Sequence, residues 1–165
     1  MVLGDIELNA GANERAYELL SDGHARLAQY QETGYLSTVV GYRAQAALEL
    51  GRVDEALELA DETERLAQPD DFEPHARVRI VRARALGRRG EIDAADDLIR
   101  QAAEIVEPTD YMIMHLDLAF ARADVDRLAG RMDGGRKALE RAVEVAEAKG
   151  HRVAAERARR WSAEL

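Results

Sequence analysis

Residues 47–60, ALELGRVDEALELA, set small and apolar side chains three and four positions apart on both sides of a glycine. That spacing puts one apolar face on a helix. The arrangement recurs along the chain. Gly11, Gly51, Gly90 and Gly130 stand 40, 39 and 40 residues apart. Seven residues before them come Gly4, Ala44, Ala83 and Ala123, and five after them Ala16, Ala56, Ala95 and Gly135. Nine after come Leu20, Ala60, Ile99 and Leu139, and twelve after come Gly23, Thr63, Ala102 and Ala142. Small side chains at fixed offsets on one face let two helices approach closely. Each period therefore predicts a helical hairpin.

Glycine supplies the turn, because it takes the left-handed backbone that ends a helix without a Cβ penalty. Pro69 and Pro108, each 18 residues after its glycine, stop the second helix. First helices are predicted at about 35–50, 72–89 and 110–129, and second helices at about 13–30, 53–67, 92–106 and 132–149. The hairpins then run 35–68, 72–107 and 110–149, after a partial hairpin over 1–31. In the last stretch Ala154, Ala158, Trp161 and Leu165 keep helical spacing and predict a capping helix over 151–163. Residues 1–165 read as a single all-α repeat domain.

The small residue, the glycine seven later, the alanine five after that, the bulky residue four further on and the closing proline resemble the tetratricopeptide repeat. That family places Trp, Leu and Tyr in the first helix. This chain has Val40, Arg43 and Ala47, then Arg79, Arg82 and Leu86, then Ala119, Arg122 and Asp126. The usual period is 34 rather than about 40, and by length alone a HEAT-like hairpin also fits. The resemblance implies a right-handed superhelical array whose concave groove binds a peptide or protein segment. More narrowly, GYLSTVVGYRAQAALELGRVDEALELADETERLAQPDD looks like the carboxyl-terminal helical repeats of large bacterial regulators that join a cyclase or a DNA-binding domain to a signalling ATPase. In that family the repeats sense or bind, and the chemistry lies elsewhere.

Composition narrows the partners. With 47% apolar and 33% charged residues, the 165-residue chain suits a folded repeat domain. A net charge of −9 opposes a phosphate backbone, so nucleic acid is not expected as a partner. No cysteine is present for disulfides or thiolate metal sites. Asp5 and Glu7 stand where a secretory leader carries Lys or Arg. No apolar run approaches the roughly 18 residues of a spanning helix. A cytoplasmic location without a membrane partner is the expectation.

Catalytic parts are few. Four histidines and three serines occur, none in a nucleophile elbow, an HExxH sequence or a phosphate-cradling glycine loop. Asp96 with Asp97, or Glu55 with Glu58, could pair as acid and base, but carboxylates on the outer faces of amphipathic helices are ordinarily solvated. His75 and His115 occupy the same repeat position, 40 residues apart, and could face one groove. A metal site needs three or four ligands of suitable type, and Glu73 and Asp110 are the only further candidates nearby in the sequence. The alternative is that both imidazoles meet solvent and carboxylates at helix starts. Neither enzyme activity nor a cofactor is expected.

Arginines carry the sharper signal. Residues 74–90, PHARVRIVRARALGRRG, hold six arginines and no acid, whereas residues 54–64 are rich in Asp and Glu. Arg43, Arg82 and Arg122 share one position, eight before the glycine, beside an apolar face. At about 10 Å between helices, neighbouring charges would repel by roughly 1.7 kcal/mol at an effective dielectric of 20. An anion should sit among them: an internal carboxylate such as Glu49, Asp124 or Asp126, or one from a ligand. Family geometry would line the concave groove with Thr38, Gln45, Arg77, Arg84, Asp117, Phe120 and Asp124. On this reading Arg77 and Arg84 face the groove, and reversing both charges should weaken binding while the fold survives.

The chain is thus expected to be a non-catalytic module that binds or senses an acidic or carboxylate-bearing protein or peptide. A structural spacer or oligomerisation segment is the alternative. Ten residues precede Gly11, fewer than the later first helices contain, so Ile6 and Leu8 lack a covering hairpin. A longer parent chain, or a homodimer through residues 1–30, would supply the cover.

Overall fold

The computed structural model describes residues 2–30, 32 and 34–165. Residues 1 and 31, the expected ends of the partial hairpin, lie outside them. The described residues form nine helices: α1 (Val2–Ala10), α2 (Asn13–Gln29), α3 (Leu36–Glu49), α4 (Val53–Leu66), α5 (Phe72–Arg88), α6 (Ile92–Val106), α7 (Met112–Leu128), α8 (Met132–Ala148) and α9 (Arg152–Glu164). Each predicted helix is present with its ends within two residues of the prediction.

The turns repeat in detail. Gly11, Gly51, Gly90, Gly130 and also Gly150 have φ between 71° and 82°. The glycine N–H bonds the carbonyl three residues back, and the next residue's N–H bonds the carbonyl five back, as in Gly51 to Leu48 and Arg52 to Ala47. This pair of bonds is the Schellman closure, and it satisfies carbonyls that the helix end leaves open. The fifth turn, at Gly150, lies outside the 40-residue period because it joins α8 to the last helix.

The contacts fall into two compact units, residues 1–82 and 83–165. The boundary cuts α5.

In the first unit α1 packs on α2, α2 on α3 and α3 on α4. Leu8, Ala16, Leu20, Val39, Tyr42 and Ala46 form one buried cluster. Gly4 sits so close to Leu20 that a Cβ there would lie 2.6 Å from Leu20 Cγ, so this member of the small-residue position has no room for a side chain. In the second unit α6 packs on α7, α7 on α8 and α8 on α9. Leu116, Phe120, Leu139, Ala142 and Ala146 bury against Ala154, Ala155 and Ala158 of α9. Trp161 stacks on Phe120 with ring centroids 6.0 Å apart. α9 thus covers the last hairpin through the face that its sequence presents.

Candidate functional site

The residues expected to line a groove meet one another instead. Gln45, Arg84 and Asp124 share one repeat position, six before the glycine, and Arg77 stands two helical turns before Arg84. In the first unit Arg77 donates to Gln45 Oε1 and, at 2.9 Å, to Glu73 Oε1. Its guanidinium lies 3.8 Å from the centre of the Tyr42 ring, and its stem crosses Gly41, where a Cβ would come within 2.9 Å of Arg77 Cδ. The Arg77 side chain is 1% exposed. In the second unit Arg84 Nε donates to Asp124 Oδ2 at 3.0 Å, while Arg127 donates to Oδ1 at 2.9 Å and Arg88 lies 3.5 Å from Oδ2. Burial pushes the Asp124 carboxyl upward, but the positive charges of Arg84, Arg127 and Arg88 outweigh it and hold the group below its usual range.

These positions correct the expectation that Arg77 and Arg84 are open to a ligand and that charge reversal leaves the fold intact. Both are buried with carboxylate partners, and a glutamate at either position would face a carboxylate in a dry site. Phe120 is likewise buried, stacked under Trp161 and with the Arg157 guanidinium 4.5 Å from its ring centre.

The Arg43, Arg82 and Arg122 ladder lies at the seams between successive hairpins, and carboxylates of the chain stand beside each arginine. Arg43 donates to the Tyr17 hydroxyl at 2.7 Å, Tyr17 donates to Glu55, and Arg43 lies 3.6 Å from Glu55. Arg82 donates to Asp61 at 2.6 Å and Glu64 at 2.8 Å. The bond from Arg82 lowers the Glu64 pKa against the opposing effect of burial. For Arg82, burial acts to lower the pKa, and the bonds to Glu64 and Asp61 outweigh it and raise the value. Arg122 donates to Asp126 at 3.2 Å and lies 3.6 Å from Asp96. Arg131, which the sequence reading did not single out, closes this group. It grips both oxygens of Asp96 at 2.8 Å and donates to Asp126 at 2.8 Å.

The two histidines share a structural task. His75 Nε2 lies 2.9 Å from the Gln68 carbonyl and His115 Nε2 lies 2.8 Å from the Thr109 carbonyl, so each imidazole ties a first helix to the loop before it. Among the described residues no group of three or more His, Asp or Glu could hold a metal ion. Asp96 and Asp97 are engaged by Arg131 and Arg100, and Glu55 by Tyr17. No described helix is long and apolar enough to cross a membrane.

Several clefts open in the second unit, and two of them combine an apolar wall with ionisable groups along a helix seam. One, of about 510 Å³, lies among α6, α7 and α8, with Ile99, Ala103, Leu118 and Val145 as apolar lining and Arg122, Arg141, His115 and Glu107 as ionisable lining. The other, of about 580 Å³, lies between α8 and α9, lined by Leu139, Glu140, Val143, Glu144, Arg159, Ser162 and Ala163. Comparison with protein-family models, with curated proteins and with solved structures finds no match for the chain. Site chemistry therefore has to be read from these two clefts.

Proposed function

We propose that the chain is a non-catalytic, tetratricopeptide-like module that binds a protein or peptide bearing a carboxylate. The observation that carries this reading is the cleft among α6, α7 and α8. Its apolar lining accepts an aliphatic or aromatic side chain, and it carries three basic side chains, Arg122, Arg141 and His115, beside Glu107; Arg141, paired with the exposed Glu144 at 3.0 Å, can exchange that surface partner for a ligand carboxylate. A carboxylate one or two bonds from an apolar group would satisfy both halves of that lining. Such a module would act as a scaffold or regulatory segment beside other domains.

The test uses Arg141→Glu. The Arg141 side chain is 66% exposed, so its reversal leaves packing alone. Partners captured from cell extract by the wild-type chain should be lost or reduced about tenfold on the variant, and should elute with added salt. Equal capture by both chains at low salt would remove the cleft from the account.

A second reading, self-association through residues 1–30, draws on α1. Val2, Leu3 and Ile6 are 66%, 64% and 55% exposed. Their repeat counterparts at the Val2 and Ile6 positions, Tyr42, Val81 and Ala121 and then Ala46, Ala85 and Val125, are all buried. Light scattering should report a dimer for the wild type and a monomer for Ile6→Lys; a wild-type monomer at every concentration would end this reading.

A further inference from the structure

The cleft between α8 and α9 repeats the seam between α6 and α7. Leu139, Val143, Arg159 and Ser162 follow Ile99, Ala103, Ala119 and Arg122 by 40 residues each, and all eight line their respective clefts. α9 therefore packs on α8 as a first helix packs on the hairpin before it. At that repeat position the chain carries Arg43, Arg82 and Arg122, at intervals of 39 and 40, and then, after 40 more, Ser162. A serine is four heavy atoms shorter along its side chain than the arginines it replaces.

The acidic side of the seam is nevertheless kept. Glu140 of α8 holds the position of Asp61 of α4, ten residues after the glycine in both hairpins, and Asp61 is the carboxylate that Arg82 meets at 2.6 Å. Glu144 stands one turn further along the same helix and also lines the cleft. The arginine in the lining, Arg159, donates to Glu147, a residue outside that lining. Leu139, Val143 and Ala163 supply apolar wall for an alkyl stem, the way a long basic side chain buries its methylenes while its head stays polar.

We propose that this cleft binds an arginine side chain presented by a partner polypeptide, in the place that Arg82 takes at its own seam. The stem lies along Leu139 and Val143, and the guanidinium bonds Glu140 and Glu144. The guanidinium is preferred to an ammonium because its planar fork of N–H groups can reach two carboxylates at once from a stem laid along the apolar wall. This site is chemically opposite to the carboxylate-binding cleft among α6, α7 and α8, and the two meet where Arg141 of that cleft donates to Glu144 at 3.0 Å, so Glu140 is the carboxylate that belongs to this cleft alone.

The test is a backbone-amide NMR titration of the whole chain with N-acetyl-arginine methylamide, alongside the lysine and citrulline analogues. Citrulline keeps the shape and removes the charge. Shifts confined to 139–144 and 159–163, with the arginine probe binding at least fivefold more tightly than either analogue, are expected. Glu140→Gln, at an exposed side chain, should weaken the arginine probe by fivefold or more. Ser162→Arg should fill the cleft from within, abolish the shifts and raise the melting temperature. Equal shifts from arginine and citrulline, shifts elsewhere, no shift at tens of millimolar, or undiminished binding to Glu140→Gln would each overturn the proposal; Glu140→Gln decides the matter even if Ser162→Arg folds poorly. N-acetyl-aspartate methylamide in the same series reports on residues 99–122, which the arginine probe should leave unshifted, so loss of one cleft is read separately from loss of the other.

Discussion

Replacing Asp124 by asparagine should cost the second unit about 3 to 5 kcal/mol. The change keeps the shape of the side chain and removes only its charge. Arg127 is 42% exposed and can turn to water, and Arg88 is partly exposed. Arg84 cannot, because its side chain is 7% exposed and its Nε points at Asp124 Oδ2. The variant would therefore leave a buried guanidinium facing a neutral amide, and removing one partner of a buried ion pair typically costs that much. For a chain of this length the loss corresponds to a melting temperature lower by roughly 6 to 20 °C. Trp161 is the chain's one tryptophan and stacks on Phe120, one helical turn before Asp124, so its fluorescence in urea reports on the right unit. Arg84→Met with Asp124→Leu should recover most of the loss, since an apolar pair of similar volume leaves no charge to desolvate. If Asp124→Asn costs under about 1 kcal/mol, the pair is not the buried lock described above.

Three further outcomes are expected. Because the Asp124 carboxyl titrates below its ordinary 3.8, its contribution is full above that value and is lost as pH falls through the lowered pKa; the gap between urea curves of wild type and Asp124→Asn should be full at pH 7 and narrow as the pH falls below 3.8, and a gap that stays constant would refute the assignment. Gly51→Ala should cost about 1 to 2 kcal/mol, all of it from forcing an L-residue to a φ of 76°, because a Cβ there meets nothing within 4 Å; an unchanged urea midpoint would show that the turn relaxes freely. Deleting residues 151–165 uncovers Leu139 and Phe120, at about 1.5 to 3 kcal/mol each, so the melting temperature should fall, and an identical melt would mean α9 is no cap.

The architecture was legible because it depends on short-range constraints. A glycine at C′, a small residue seven before it and an alanine five after it leave little choice of backbone or helix spacing, so helices and turns followed from counting. The destinations of the arginines were not legible in the same way. Arg82 reaches carboxylates 10 and 13 residues after Gly51, whereas Arg122 meets Asp96, six after Gly90, and Asp126 on its own helix. A long side chain can satisfy its charge at several offsets of similar energy, so the repeat position does not name the partner. One signal was available: Arg84 and Asp124 carry opposite charge at the same repeat position, 40 residues apart. The six-arginine run is locally basic in sequence because its partners Asp61, Glu64, Gln45 and Asp124 all lie outside it.

The unequal offsets of the seam carboxylates have a consequence for how such a chain can be rebuilt. If Arg82 and Arg122 met acids at one common offset, any hairpin could follow any other. They do not. An α7 placed after α4 would bring Arg122 opposite Leu57, six after Gly51, where its own neighbour offers Asp96. An α5 placed after α6 would aim Arg82 at Arg100 and Ala103, where Asp61 and Glu64 stand in its own seam. The backbone turns are interchangeable and the charges are not, so the ion pairs act as a key that permits one order of units. A recombinant chain with its hairpins permuted would keep its helices and place like charges across a seam.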